Sequence, residues 1–144
     1  MTGNGQFSVA IDQFIGKVAA KNEQNCRKVY IELATDIIMG TPKDKGITTN
    51  NWIPSIGSPA SGTREIADTS GALVISEVKS VAVGWKPEKG DAFLTNNSIV
   101  AVVHEYGLYP NPPKKGKGKT INGFSTQAVG GMVGLSIAKK KGSV

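Results

Sequence analysis

The chain has 144 residues, 39% hydrophobic and 19% charged, with a formal net charge of +6 and a single cysteine. That length suits one domain with its own core, and no apolar run approaches the roughly 18 residues that span a bilayer. One cysteine excludes an internal disulfide and fits a reducing compartment, and the N-terminal MTGNGQFS lacks the basic and apolar regions of a secretory signal.

From Phe7 to Met39 apolar residues recur at helical spacing: Ile11, Phe14, Ile15, Val18, Cys26, Val29, Leu33 and Ile37, with one polar lapse at Asn22. Asp12, Lys17, Lys21, Glu23, Lys28, Glu32 and Asp36 lie between them. The pattern predicts an amphipathic helix with one buried stripe, about 33 residues and about 50 Å long if it continues through the weak point at Gly16. Such a helix overhangs a domain of this size, and an overhanging apolar stripe calls for cover from a neighbouring subunit. Gly40 is expected to cap the helix in a left-handed conformation, with Pro42 barring its continuation. TPKDKG reads as a turn in which Asp44 bonds its own backbone and Gly46 takes a positive φ. Thr48 to Ile56 reads as a strand anchored by Trp52, with Pro54 marking an edge or a bulge.

SPASG is a loop, and Thr63 to about Val83 reads as a second helix, with Ile66, Ala67, Leu73, Val74, Val78 and Val81 on one side and a weak point at Gly71. KPEKGD is a turn and AFLTN a short strand. SIVAVVHEYG stays open: its β-branched content favours a strand, yet a helical turn also fits. STQAVGGMVGLSIAKKK fits a helix or a strand; its glycines argue against a helix, while its lysines suit a helix C-terminus. The order predicts an α+β fold in a single domain, residues 1–144, with a long N-terminal helix and further helices packed on a small, mainly antiparallel sheet.

The charge is unevenly placed. Through Glu105 ten basic residues face all eleven acidic ones, a net of −1; beyond it stand only lysines, Lys114, Lys115, Lys117, Lys119, Lys139, Lys140 and Lys141. A flexible basic loop is expected at about 109–124 and a basic C-terminal tail at 139–144, either solvated or facing an anionic partner. Within the loop, GKGKT resembles a phosphate-binding loop. The strict pattern G-x-x-x-x-G-K-[ST] requires a glycine at position 113, where this chain has Pro113, and neither a strand before it nor a helix after it is predicted. No cofactor site is therefore assigned. His104 beside Glu105 lacks the further ligands a metal needs and has no nucleophile partnered to it. No catalytic residues are assigned, and the chain is not expected to be an enzyme.

Thr41 to Trp52, TPKDKGITTNNW, resembles the TPVDTG-x-x-x-x-N-W signature of tail-completion proteins, the neck or head–tail joining proteins of lambda-type long-tailed bacteriophages, including those similar to minor tail protein Z. Two further segments are similar to that family in the same order: TNNSIVAVVHEYG, with Asn96, Asn97, Glu105 and Gly107, and STQAVGGMVGLSI, with Gly131, Met132 and Val133. The chain departs from the pattern in carrying ITTN before the signature's Asn-Trp, VAVV in the second segment, and a long loop from Tyr109 to Phe124. The resemblance implies a compact α+β unit, with helices at Ile99–Tyr106 and at the C-terminus. It further implies a homo-oligomeric ring, commonly a hexamer, at the head–tail junction of a virion, after assembly in the host cytoplasm. Implied partners are tail-terminator and tail-tube proteins on one side and head-completion or connector proteins on the other, without a membrane. Thr41, Pro42, Asp44, Gly46 and Trp52 would then be structural or interface residues. Lys114, Lys115, Lys117 and Lys119 would face packaged DNA, without sequence preference, or an acidic neighbouring ring. A tail-terminator ring and a small basic nucleic-acid-binding protein are the alternatives.

Overall fold

The structure is a computed structural model describing residues 2–109 and 120–142, with side chains described from Ala20 to Lys139 at the two ends. Helix α1 spans Thr2–Gly40. A 3-10 turn, Thr49–Asn51, leads into β1, Trp52–Ile56. Helix α2, Ala72–Gly84, is followed by a 3-10 turn and β2, Ala92–Asn96. Then come α3, Ile99–Tyr106, the hairpin β3 (Thr120–Ile121) and β4 (Phe124–Ser125), and α4, Val133–Gly142. Strands β1 and β2 pair antiparallel, Trp52 opposite Asn96 and Ile56 opposite Ala92. The fold is α+β, with two two-stranded antiparallel sheets among the described residues. Helix α2 covers β1, whereas α1 lies mainly on α2 and α4 rather than on the strands. Ala34, Ile37, Ile38, Trp52, Val74, Val78, Ala101, Ala128 and Met132 form the core.

Helix α1 continues through Gly16, and its 39 residues make a rod about 58 Å long. The face it buries takes in the end of the expected stripe, Leu33 and Ile37, and adds the adjacent Ala34 and Ile38. Ala34, Ile37 and Ile38 are buried and Tyr30 half-buried, while Cys26 and Val29 are exposed. At 3.6 residues per turn, Tyr30, Ala34 and Ile38 stand roughly 100° around the helix from Cys26 and Val29. The periodicity therefore identified a real apolar line; the core takes its Leu33 and Ile37 end together with the adjacent face, and Cys26 and Val29 stay exposed. Tyr30 ties α1 to β2 by donating to the Phe93 carbonyl at 2.7 Å, and burial pushes its phenol up to about 12.

The helix ends without the expected left-handed Gly40, which stays helical. Thr41 takes over: its Oγ1 donates to the Ile37 carbonyl at 2.7 Å and its N–H bonds the Ile38 carbonyl at 3.3 Å, and Pro42 follows. The expected strand from Thr48 begins only at Trp52, because Asn50 and Asn51 turn their side chains back onto backbone carbonyls. Pro54 sits on a strand with a single partner, where its missing N–H costs nothing.

The second helix starts at Ala72, not Thr63. Gly71 has φ +72°, and the preceding segment is held out of the helix by Arg64. The Arg64 N–H bonds Asn51 Oδ1 at 2.8 Å, and its guanidinium grips both Glu77 carboxylate oxygens at 2.6 and 3.0 Å. Arg64→Lys loses this two-pronged grip. It is expected to lower stability by roughly 1–2 kcal/mol, measured by urea unfolding.

Residues 99–106 are helical despite their β-branched content. Ser98 Oγ caps the start by accepting from the Ala101 N–H at 3.3 Å, and Gly107, with φ +64°, closes the end. The expected loop up to Phe124 ends instead in a hairpin, turned by Asn122 (φ +52°) and Gly123 (φ +86°), the Asn-Gly pair that two-residue hairpins favour. Of the last stretch only Val133 onward is helical; Gly130 and Gly131, with φ +93° and +100°, make the turn before it.

Candidate functional site

The three segments that carry the family resemblance meet in one place. Trp52, 5% exposed, donates its indole N–H to Thr41 Oγ1 at 2.7 Å, so the end of α1 and the start of β1 share one hydrogen-bond chain. Asn96 reaches from β2 to the Thr48 carbonyl at 2.9 Å, and Asn97 bonds the carbonyls of Ala60 and Gly62. The Lys43 N–H donates to Gln127 Oε1 at 2.6 Å, joining the first segment to the third. Pro42 is buried beside this contact, and Asp44 is exposed at the turn's tip.

Glu105 joins the second segment to the third. Its Oε2 accepts from the N–H groups of Met132 and Val133, both at 2.8 Å, and its Oε1 from Gly134 at 3.0 Å. These are first-turn donors of α4, which have no partners within their own helix. Burial, the largest single influence, pushes the carboxyl up. The bonds from Gly134, Val133 and Met132 together outweigh it and hold the group below its ordinary value. Gly131 must lack a side chain here, since a Cβ would lie 2.8 Å from the Glu105 carbonyl oxygen. Gly107 is similarly closed in by the Phe124 ring.

Gly46 takes the positive φ expected of it, +83°, with its Cα facing the Asp68 carbonyl too closely for any Cβ. Gly46→Ala combines left-handed strain with that collision. It is expected to cost about 2 kcal/mol, read as a lower midpoint in urea with an unchanged slope.

A groove of about 650 Å³ runs between this turn, α3 and the β3–β4 hairpin. His104 forms part of its wall, 5% exposed, with its ring 5.5 Å from that of Tyr109. Its Nδ1 is buried with no hydrogen-bond partner, and burial holds its pKa below the ordinary value. The adjacent Glu105 carboxylate turns away to α4, so the two do not act as an acid–base pair. Among the described residues no three His, Cys, Asp or Glu side chains converge as a metal would need, and no helix is long and apolar enough to cross a membrane.

Exposed apolar residues occur on every helix among the described residues, Val83 on α2 and Leu135 and Ile137 on α4 included. From Ala20 to Val29 every residue of α1 is exposed except the half-buried Glu23 and Arg27. The outward side of α3 shows Ile99, 83% exposed, Val102, 49%, and Tyr106, 71%. No family model, curated protein or solved structure matches this chain. The loop residues Pro113, Lys114, Lys115, Lys117 and Lys119 lie outside the described residues.

The sequence reading singled out the motif residues but missed much of what holds them. Arg64 and Glu77 carried no readable signal, because their partnership spans an irregular segment with no periodicity. The Ser98 cap and the Asn122-Gly123 turn had readable signals: a serine just before an apolar run, and an Asn-Gly pair between short apolar flanks.

Proposed function

We propose that the chain is a structural protein of a bacteriophage virion, forming a homo-oligomeric ring, hexameric by resemblance, at the head–tail junction. There it completes the tail and joins it to the DNA-filled head, between tail-terminator or tail-tube proteins and head-completion or connector proteins. The observation that carries this reading is the exposed part of α1's apolar line. The line enters the core at Leu33 and Ile37, but its continuation through Val29 and Cys26 lies exposed, on a helix of 39 residues. Ile11, Ile15 and Val18 lie on that same line by helical spacing. A line left open on one edge of a protomer is what head-to-tail contacts need, and such contacts close into a ring when the rotation permits. The work of the protein is then geometric rather than chemical. Lysines 114, 115, 117 and 119, repeated around a hexamer, supply about 24 positive charges for phosphate or for an acidic neighbouring ring.

End-on negative-stain images of the purified protein test the proposal. Closed rings are expected, and a monodisperse monomer that binds neither tails nor heads overturns it. The concentration of lysines after Glu105 favours a second reading, a small basic nucleic-acid-binding protein. Duplex DNA affinity that falls steeply with salt, in a protein that never forms rings, would decide for it.

A further inference from the structure

We infer that the seam where α3, the turn at residues 41–48 and the β3–β4 hairpin meet opens on protonation, with His104 as the group that opens it. The seam encloses the groove of about 650 Å³, whose lining includes Lys45, His104, Tyr109, Thr120 and Gln127. Folded proteins leave few buried polar groups unpaired. Among the described residues, four buried side-chain nitrogen or oxygen atoms have no hydrogen-bond partner. Two of them, His104 Nδ1 and Thr120 Oγ1, belong to side chains that line this groove. An orphaned polar atom regains water only when its surroundings part, so each one lowers the cost of opening the place where it sits. The bonds that tie the sides together are single ones: the Lys43 N–H to Gln127 Oε1 at 2.6 Å and the Tyr109 N–H to the Gly123 carbonyl at 3.0 Å. The most deeply buried apolar side chains, Ile38, Val74 and Val78, lie on α1 and α2 instead.

His104 is the only histidine in the chain. Its ring lies against that of Tyr109, tilted by 55°. An imidazolium carries two N–H donors, and one of them would stand where Nδ1 finds no partner. The charged groups around the ring do not offer an acceptor. Glu105, next in the chain, is held by three amides of α4. On the turn, Asp44 is exposed beside an equally exposed Lys45, whose opposite charge offsets it. Residues 120–132 carry no charge at all, and burial raises the Tyr109 phenol, which stays neutral. Burial likewise holds His104 below its ordinary value. Opening is therefore linked to proton uptake: the seam stays shut above about 6.5 and opens progressively below it. The opening is local, because parting the seam is enough to wet His104 while α1 and α2 stay packed.

Amide hydrogen exchange on the whole chain tests this, at about pH 7.5 and 5.5 and in low urea, with each rate divided by that of an unstructured peptide at the same pH. The Lys43 and Tyr109 amides are expected to exchange at least about threefold faster at the lower pH. Their rates should stay flat in low urea, as an opening that exposes little surface requires. The Ile38 and Val78 amides, released only by global unfolding, should be slower and should rise with urea. His104→Gln is expected to abolish the acid gain at Lys43 and Tyr109. If that variant does not fold, a titration of the wild-type His104 ring protons by nuclear magnetic resonance takes its place, and the ring should titrate over the pH range of the gain. Three results overturn the inference: seam amides that share the rate and urea slope of Ile38 and Val78, an acid gain that is absent or persists in His104→Gln, or a ring that titrates outside the range of the gain.

Discussion

Trp52→Ala is expected to lower the unfolding free energy by about 3–5 kcal/mol, the usual cost of emptying a large aromatic site in a core. Trp52 is 5% exposed and lies in the cluster formed by α1, α2 and β1. Its loss removes more than packing. The indole N–H is the donor to Thr41 Oγ1, which in turn donates to the Ile37 carbonyl. Without the indole, the 2%-exposed Thr41 keeps one hydrogen bond and loses the other. Trp52→Phe separates the two effects, retaining much of the ring while removing the N–H; about 1–2 kcal/mol is expected for it. Against a typical total of roughly 5–15 kcal/mol, the alanine variant should be visibly close to unfolding. Urea unfolding followed by circular dichroism checks this, and a loss below about 1 kcal/mol for Trp52→Ala would show that the site is not the anchor described.

Glu105→Ala is expected to cost about 3 kcal/mol, because three main-chain N–H groups of α4 lose a charged acceptor at once. The side chain is half-buried, so water replaces part of what is lost. Glu105→Gln keeps an oxygen and the shape but not the charge, and is expected to lose about half as much. Acid should mimic the substitution. The folded-state pKa of Glu105 is depressed, so its contribution is complete above the ordinary value of 4.5 and disappears as pH falls through the folded value. Hydrogen exchange on the amides of Met132, Val133 and Gly134 reads this directly: protection there should fall first in the alanine variant.

His104 is depressed as well, by burial, so the unfolded chain takes up its proton more readily than the folded one. Stability from this group is complete above about 6.5 and falls away below it. The wild type should thus weaken in two stages on acidification, the first from near 6.5 and the second below 4.5. His104→Gln removes only the first, which thermal melts across pH 4–8 will show.

How far the sequence could be read depended on whether the deciding force was local. The turn at Gly46, the strand AFLTN and the stop before Pro42 follow from residues within a few positions, and they were legible. Residues 99–106 were not legible from β-branched content, because Ser98 and Gly107 at the two ends decide the conformation. The early part of the expected second helix failed for the opposite reason. Nothing in Thr63–Ser70 forbids a helix, but Arg64 is recruited by Asn51 from 13 positions back and by Glu77 from 13 ahead. Helix α1 shows a third limit. Periodicity locates an apolar line but does not say how much of it the chain itself will cover, and here the core takes only the Leu33 and Ile37 end, together with the neighbouring Ala34 and Ile38. The candidate surfaces were legible in the same uneven way. The length of α1 could be anticipated from its periodicity, whereas the bare side of α3 emerges only once Ala101 and His104 are seen to face inward.

The unbroken rod of α1 also makes it a lever. It is held along its later turns, from Arg27 on the Trp85 carbonyl to Thr41 on Trp52, and the stretch before Arg27 is about 37 Å long. Tilting the held part by about 5° swings the far end by about 3 Å over that length. In the proposed ring, small changes around Trp52 would be magnified into the angle between successive subunits, so that the bore would answer to a residue buried in the core.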